Sequence, residues 1–360
     1  MPREFEMPTD IEVVNQYWSA FISESHLKDR GIAWWEAGPE IRKYRNRQVS
    51  GNPDINWVQY TLGKYFNARL PLARCISLGC GAGGLERELA SYGAFQHCDA
   101  YDVSEGAIRL ARERADQLGI TNITYHVADI NELTLPPNSY DAVWVSQAMH
   151  HFEALEHIDR QIRMTLRPEG LFILHDYVGP NRFQFPSRQK EIANLCLSLL
   201  PVQYRVRLKE AVDQEIRRSR KVGHKFFQRL FDKIRDGDLI GAIQRRLLLY
   251  KSQIGHQVSD KKLINFPTAR DVIALDPSEA IRSEEIVEVL RQDFEIVEKK
   301  DWGGNILQFL LADIAGNFVD EKHEHAQAYL KMLINIEETF LQSGEFASDF
   351  AYIVARPLDI

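Results

Sequence analysis

The sequence predicts an α/β fold: a mostly parallel sheet with helices on both faces. Two observations carry this. Between residues 71 and 180, short apolar runs alternate with amphipathic stretches. The connections between them are short, as in successive strand–helix–strand units. The chain has 360 residues, 44% hydrophobic and 26% charged, which suits a globular protein with a sizeable core.

The elements follow in order. Cys75-Ile76-Ser77-Leu78 reads as a buried strand ending at Gly79, and Gly84–Ser91 as a helix closed by Gly93. A second strand runs from His97 to Val103. Ser104 can cap a helix whose Ile108, Ala111, Ala115 and Leu118 share one face, stopping near Gly119. Ile123–Val127 and Asp141–Ser146 are the third and fourth strands. A helix from Leu155 to Arg167 is stopped by Arg167-Pro168-Glu169-Gly170, and Leu171–His175 is the fifth strand.

Four zones result. Residues 1–70 are aromatic-rich and mostly helical. Residues 71–180 alternate strands and helices. Residues 181–290 are a helical, basic insertion, and residues 291–360 return to strands around a further helical stretch. The net charge is −7, yet residues 181–262 hold 19 Lys/Arg against 8 Asp/Glu. Such asymmetry fits either an anionic partner or a solvated helical surface.

No run of 18 apolar residues is present, so no membrane-spanning helix is expected. Met1–Glu6 lacks a basic region leading into an apolar stretch and is not read as a signal peptide. The four cysteines form no CxxC pair and read as small buried residues of a reduced, cytoplasmic protein, with no metal site.

Gly79-Cys80-Gly81-Ala82-Gly83-Gly84 lies between a strand and a helix, where backbone must turn sharply and approach a ligand closely. It satisfies GxGxG and also the dinucleotide pattern GxGxxG. Asp102, ending the second strand, can accept both ribose hydroxyls of an adenosine. Asp129, ending the third, can accept from an adenine amino group while Ile130 covers the ring. The glycine loop and Asp102 suit an NAD(P)-dependent oxidoreductase as well as an adenosine-bearing methyl donor, whereas Asp129-Ile130 and the two histidines after the fourth strand suit the methyl donor.

The ordered runs CISLGCGAGGLERELA, YDVSEGAIRLAR, VADINEL, YDAVWVSQAMHHF and LRPEGLFILHDYVGP resemble the successive motifs of class I S-adenosyl-L-methionine-dependent methyltransferases, most closely the small-molecule branch. The resemblance spans about residues 70–180. GPNRFQF and DPSEAIRS are similar to a bacterial group that includes proteins of polysaccharide biosynthesis. The resemblance implies a Rossmann-like sheet of seven strands, the last antiparallel, with Phe294–Glu298 and Phe350–Ala355 as the final two. Residues 177–290 and 303–348 are then insertions on the substrate side.

The resemblance also implies site residues. Gly79, Cys80, Gly81 and Gly83 line the methionine end of S-adenosyl-L-methionine. Asp102 holds the ribose with Val103 against the adenine, Asp129 and Ile130 define the adenine pocket, and Ser146 and Gln147 lie beside the methionine. The family carries an acid two residues before the first glycine, where this chain has Ser77.

Methyl transfer needs alignment and, for a hydroxyl acceptor, a base. His151 is the favoured base, His150 the second candidate, with Tyr177 or Asp176 orienting the substrate; His175 ends the same strand as these two. Tyr17-Trp18 and Trp34-Trp35 could close over the sulfonium as an aromatic lid, or simply be core. Arg217–Lys221, with Phe226, Phe227, Leu230, Phe231 and Ile234, forms a basic amphipathic stretch suited to a phosphate on the substrate, RNA, a membrane surface or a second subunit. Asp276-Pro277-Ser278-Glu279 reads as a helix start. The expected acceptor is a hydroxyl or amine of a small molecule. Nucleic acid is the less favoured partner, given the acidic overall balance and the missing Asn/Asp-Pro-Pro-Tyr/Phe signature.

Overall fold

The computed structural model describes residues 35–207 and 260–358, and Val14 alone before them. Seven strands form one sheet: β1 (Leu72–Leu78), β2 (Phe95–Asp102), β3 (Ile123–Val127), β4 (Tyr140–Ser146), β5 (Leu166–Tyr177), β6 (Phe294–Gly303) and β7 (Phe350–Pro357). Their order is β3-β2-β1-β4-β5-β7-β6. The first five are mutually parallel, and β7 runs antiparallel to both β5 and β6. The expected seven-stranded Rossmann-like sheet is therefore present.

Burial alternates along β4 in a way that explains the two-sided fold. Ala142 and Trp144 enter one core, Val143 and Val145 the other, and all four are wholly buried. A strand that is apolar on both faces needs helices on both. One layer receives Ile41, Tyr44 and Val49 of α1 (Pro39–Ser50), Trp57 and Val58 of α2 (Trp57–Thr61) and Leu89 of α3 (Gly84–Ser91). A smaller cluster packs Ile108, Ala111 and Ala115 of α4 (Glu105–Gln117) against Ala100 and Tyr125. The other layer receives Leu155, Ile158 and Ile162 of α5 (Leu155–Thr165), each worth roughly 1.5–3 kcal/mol when removed from water.

After β5 come α6 (Ser187–Leu199), α7 (Ala269–Leu275) and α8 (Ile286–Asp293). Between β6 and β7 come α9 (Leu307–Leu311) and the 20-residue α10 (Glu324–Ser343). No helix among the described residues is long and apolar enough to cross a membrane.

Several boundaries depart from the sequence reading. The Arg167–Gly170 segment ends α5 but belongs to β5, with a register irregularity opposite Tyr140/Ala142 and Glu169 in the left-handed region. Pairing with β4 and β7 extends β5 at both ends beyond its apolar run. Leu118 falls after α4 and is exposed, because the helix has already stopped at Gln117. Asp276–Glu279 forms a turn, not a helix start: the Asp276 side chain accepts from Ser278 N and Oγ at 2.8 and 2.6 Å, as an Asx turn does.

Candidate functional site

Because β3, β2, β1, β4 and β5 are parallel neighbours, their carboxyl ends form one row, the edge at which open α/β sheets bind ligands. The glycine loop sits at its centre. Gly79, Gly81 and Gly83 have φ of 72°, 51° and 73°, a region that side chains strain to enter. A Cβ on Gly79 would come within 2.3 Å of the Ala148 methyl group, and one on Gly83 within 2.6 Å of the Tyr125 hydroxyl. At Gly81 and Gly84 it would meet nothing within 4 Å, so the loop is tight beneath and open above, as a ligand cradle requires.

The loop hangs from the end of β2. Gly79 N and Cys80 N donate to the Tyr101 carbonyl at 2.8 and 2.9 Å. Asp102 accepts from Gly81 N and from Ser104 N, both at 2.8 Å. Burial raises its carboxyl pKa, and those two amides work against the rise. Asp102 thus braces the loop at the place expected for a ribose contact, with half-buried Val103 next in chain. Burial also holds the Cys80 thiol well above its ordinary range.

Ala128 N donates to the Asp102 carbonyl at 3.0 Å, which sets the end of β3 beside that of β2. Asp129 accepts from Asn131 N at 2.9 Å and Nδ2 at 3.1 Å. Asn131 Oδ1 in turn accepts from Glu153 N and Ala154 N, a tie the sequence reading missed. Ile130 is buried among core residues. Ser146 and Gln147 close β4, with Gln147 at φ 53° and its N–H donating to the His175 carbonyl at 2.9 Å.

Directly beyond, His150 and His151 form a turn. Asp176 organises it: one carboxylate oxygen accepts from Ala148 N and Met149 N at 2.9 and 2.7 Å. The other accepts from Tyr177 N at 2.7 Å and meets His150 Nδ1 at 2.5 Å. His150 Nε2 lies 3.5 Å from Glu279. Burial works to lower the His150 pKa, but the charges of Asp176 and Glu279 prevail and raise it to about 10. His150 is therefore an imidazolium at neutral pH. His151 is pushed the other way, by burial and by the positive charge of His150.

The Asp276–Glu279 turn completes the site from a distant part of the chain. Ile281 N donates to the His150 carbonyl at 3.1 Å, and Arg282 grips Glu156 of α5 with two bonds of 2.8 and 2.7 Å. Ser278 Oγ donates its single proton to Asp276 at 2.6 Å and lies 3.0 Å from His151 Nδ1. Nδ1 must then be the donor to Ser278, which places the basic lone pair of neutral His151 on Nε2. One donor atom each of His150, His151 and Glu279 lies within 4.8 Å of the others. His150, His151 and Glu279 meet only through the fold, and the Glu279 carboxylate balancing the His150 imidazolium accounts for the set.

Other expected residues lie elsewhere or are engaged. His175 is buried in the core, stacked between Trp57 and Trp302 with centroids at 4.7 and 4.9 Å. Its side chain projects to the face that carries Trp57 and Trp302, opposite to Asp176, because side chains alternate along β5. Asp176 is wholly buried and spends both carboxylate oxygens on the backbone and on His150. The Tyr177 hydroxyl donates to the Pro180 carbonyl at 3.0 Å, and its ring packs edge-on against Phe183 and Phe350. Trp35 is core, stacked on Trp302 at 5.8 Å, rather than part of a lid. Tyr17, Trp18, Trp34, the Arg217–Lys221 run and the Phe226–Ile234 stretch lie outside the described residues.

Residues 76–174 match the family model described as a methyltransferase domain. An uncharacterized methyltransferase, YcgJ, of Bacillus subtilis is 25% identical over 130 residues, covering 33% of this chain and 51% of that protein. The 27-O-demethylrifamycin SV methyltransferase of Amycolatopsis mediterranei is 29% identical over 106 residues, 29% of this chain and 39% of that one. The sterol 24-C-methyltransferase ERG6B of Gibberella zeae is 29% identical over 110 residues, 30% and 28% of the two chains. The chain thus spans about half the length of the first of these relatives and less of the others. Among solved structures, a phosphoethanolamine N-methyltransferase of Haemonchus contortus aligns with a TM-score of 0.47 at 16% identity, over 98% of this chain and 61% of that one.

Proposed function

We propose that this chain, whose core is a class I methyltransferase domain, transfers a methyl group from S-adenosyl-L-methionine to a hydroxyl or amine of a small molecule, with His151 as the base. One observation carries the reading: Gly79 of the cofactor loop lies against Ala148, two residues before His150, so tightly that no Cβ fits between them. The donor cradle and the histidine turn are therefore held side by side by packing.

S-Adenosyl-L-methionine, when bound, brings a methyl group already activated on a sulfonium. The chain has three tasks left. Gly79, Cys80, Gly81 and Gly83 cradle the methionine end, with Ser146 and Gln147 beside it, while Asp102, Val103, Asp129 and Ile130 take the adenosine. His151 Nε2 removes the acceptor's proton, a contribution of about 10²–10⁴-fold for a hydroxyl. The His150–Asp176 pair and Ser278 fix the orientation of that ring. Tyr177 supports this arrangement by pinning the segment after β5 through Pro180, not by touching the acceptor. The excess of 19 basic over 8 acidic residues in 181–262 supports an acceptor bearing a phosphate.

Thermal melting tests the cofactor. A ligand at 100 times its dissociation constant stabilises by about 2.7 kcal/mol, so S-adenosylhomocysteine should raise the midpoint clearly and NADH should not. The reverse pattern would overturn the reading in favour of an oxidoreductase. Tritiated methyl donor offered with small hydroxyl and amine acceptors, and separately with RNA, tests the acceptor class; label entering only RNA would overturn the small-molecule assignment.

A further inference from the structure

We propose that Glu86 of α3 supplies the anion for the ammonium group of the bound cofactor, the role that Ser77 at the end of β1 cannot fill. The assignment rests on the methyltransferase reading above and deepens it: the site takes its acid from the helix after the glycine loop instead of from the strand before it.

Glu86 is 0% exposed, and neither of its carboxylate oxygens has a hydrogen-bond partner. Ser77, itself buried, is near enough to favour the ionised carboxylate, yet no well-formed hydrogen bond joins the two. Helix geometry explains the meeting. Glu86 is in the first turn of α3, where side chains lean back toward the N-terminus and hence toward the loop and the end of β1.

A buried carboxylate without a partner is costly, and such groups persist where a ligand completes them. The neighbours complete this one only in part: Ser77, the Glu86 backbone amide and the charge of Arg87 favour the ionised form, but burial outweighs them. Arg87 spends its guanidinium on the Ala82 carbonyl at 2.6 Å. Asp102, across the loop, carries charge of the same sign, and Cys80, Cys98 and Tyr125 around it offer no cation. Burial pushes the Glu86 carboxyl up to about 7, so the group sits on the edge of ionisation and gains most from a cation placed beside it. A free amino-acid ammonium at the methionine end, next to Gly79–Gly83, is such a cation.

The test compares two ligands by calorimetry on the full chain. S-Adenosylhomocysteine carries the ammonium; 5′-methylthioadenosine keeps the adenosine and the sulfur and lacks the amino-acid end. Glu86→Gln should weaken S-adenosylhomocysteine at least tenfold and leave 5′-methylthioadenosine within twofold. A second variant, Ser77→Asp with Glu86→Gln, returns the acid to the strand and should recover most of the lost affinity, which guards against a fold that merely suffers from losing Glu86. Equal weakening of both ligands, or no change in S-adenosylhomocysteine, would overturn the assignment while leaving the methyltransferase reading intact. A native chain that binds neither ligand would overturn both.

Discussion

Asp176 and His150 stand 2.5 Å apart, carboxylate oxygen to Nδ1, at the centre of the buried turn that ends β4. The pair sets opposite protonation states on two adjacent histidines, and that gives stability a defined pH profile. The ordinary histidine value is 6.5, and His150 in the folded chain is raised to about 10. Its contribution is complete below pH 6.5 and drains away as pH climbs toward 10. His151 is lowered, so its contribution is present above 6.5 and lost as pH falls below it. Melting temperature should therefore peak near neutrality. In His150→Gln the alkaline decline should flatten, and the pKa of His151, freed from a neighbouring cation, should rise. Melts from about pH 5 to pH 10 check the first point and histidine NMR titration the second; an unchanged alkaline limb would show that the ion pair contributes nothing.

The glycine loop makes a second prediction by contrast. Gly79→Ala forces a Cβ into the Ala148 methyl at a left-handed φ, whereas Gly84→Ala meets open space at the start of a helix. The first should weaken S-adenosylhomocysteine by a factor of ten or more, and the second should change it less than twofold. Titration calorimetry of the two variants reads this directly, and equal affinities would mean that Gly79 does not shape the cradle.

The stack Trp57–His175–Trp302 lies behind the site, with interplanar angles of 9° and 11°. Both His175 nitrogens lack partners, and burial drives its pKa well below the ordinary value. His175→Phe keeps an aromatic ring in the slot and removes two unsatisfied nitrogens, so it should hold stability within about 1.5 kcal/mol and flatten the acid limb. His175→Ala leaves a cavity and should cost about 3 kcal/mol. Denaturant unfolding of both variants measures the difference. If His175→Phe inactivates the protein while leaving its stability intact, the residue belongs to the site and not to the core.

These particulars show where sequence suffices. The local geometry at Gly79, Gly83, Asp102 and Asp129 is legible in the sequence because strand ends, left-handed glycines and helix caps are fixed by residues a few positions apart. His150 and His151 were visible as a pair, but their roles were not. Those depend on Asp176, 26 residues on, and on Ser278, 127 residues on, contacts that only the fold brings about. His175 shows the same dependence on the fold: it precedes Asp176 at the end of β5, and the alternation of the strand sets its ring on the opposite face, between tryptophans from α2 and β6. The Asp276–Glu279 segment carries a helix-start pattern that lost to the contacts of its turn with His150 and His151.

That turn yields the last prediction. The Ser278 hydroxyl donates a hydrogen bond to Asp276 and accepts one from His151 Nδ1–H, so it selects the tautomer with the basic lone pair on Nε2. Ser278→Ala removes the acceptor that holds this tautomer, while the nearest glycine-loop contacts are untouched. Methyl transfer to a hydroxyl acceptor should fall about ten- to hundredfold, within the range that general-base catalysis contributes. S-Adenosylhomocysteine affinity should stay the same, because Ser278 supports the base and not the cofactor. The ¹⁵N shifts of His151 should move toward a mixture of tautomers in parallel with the rate. An amine acceptor that arrives already neutral should be affected much less, since it asks little of the base. A variant with native rate and native tautomer would show that the serine merely fills space.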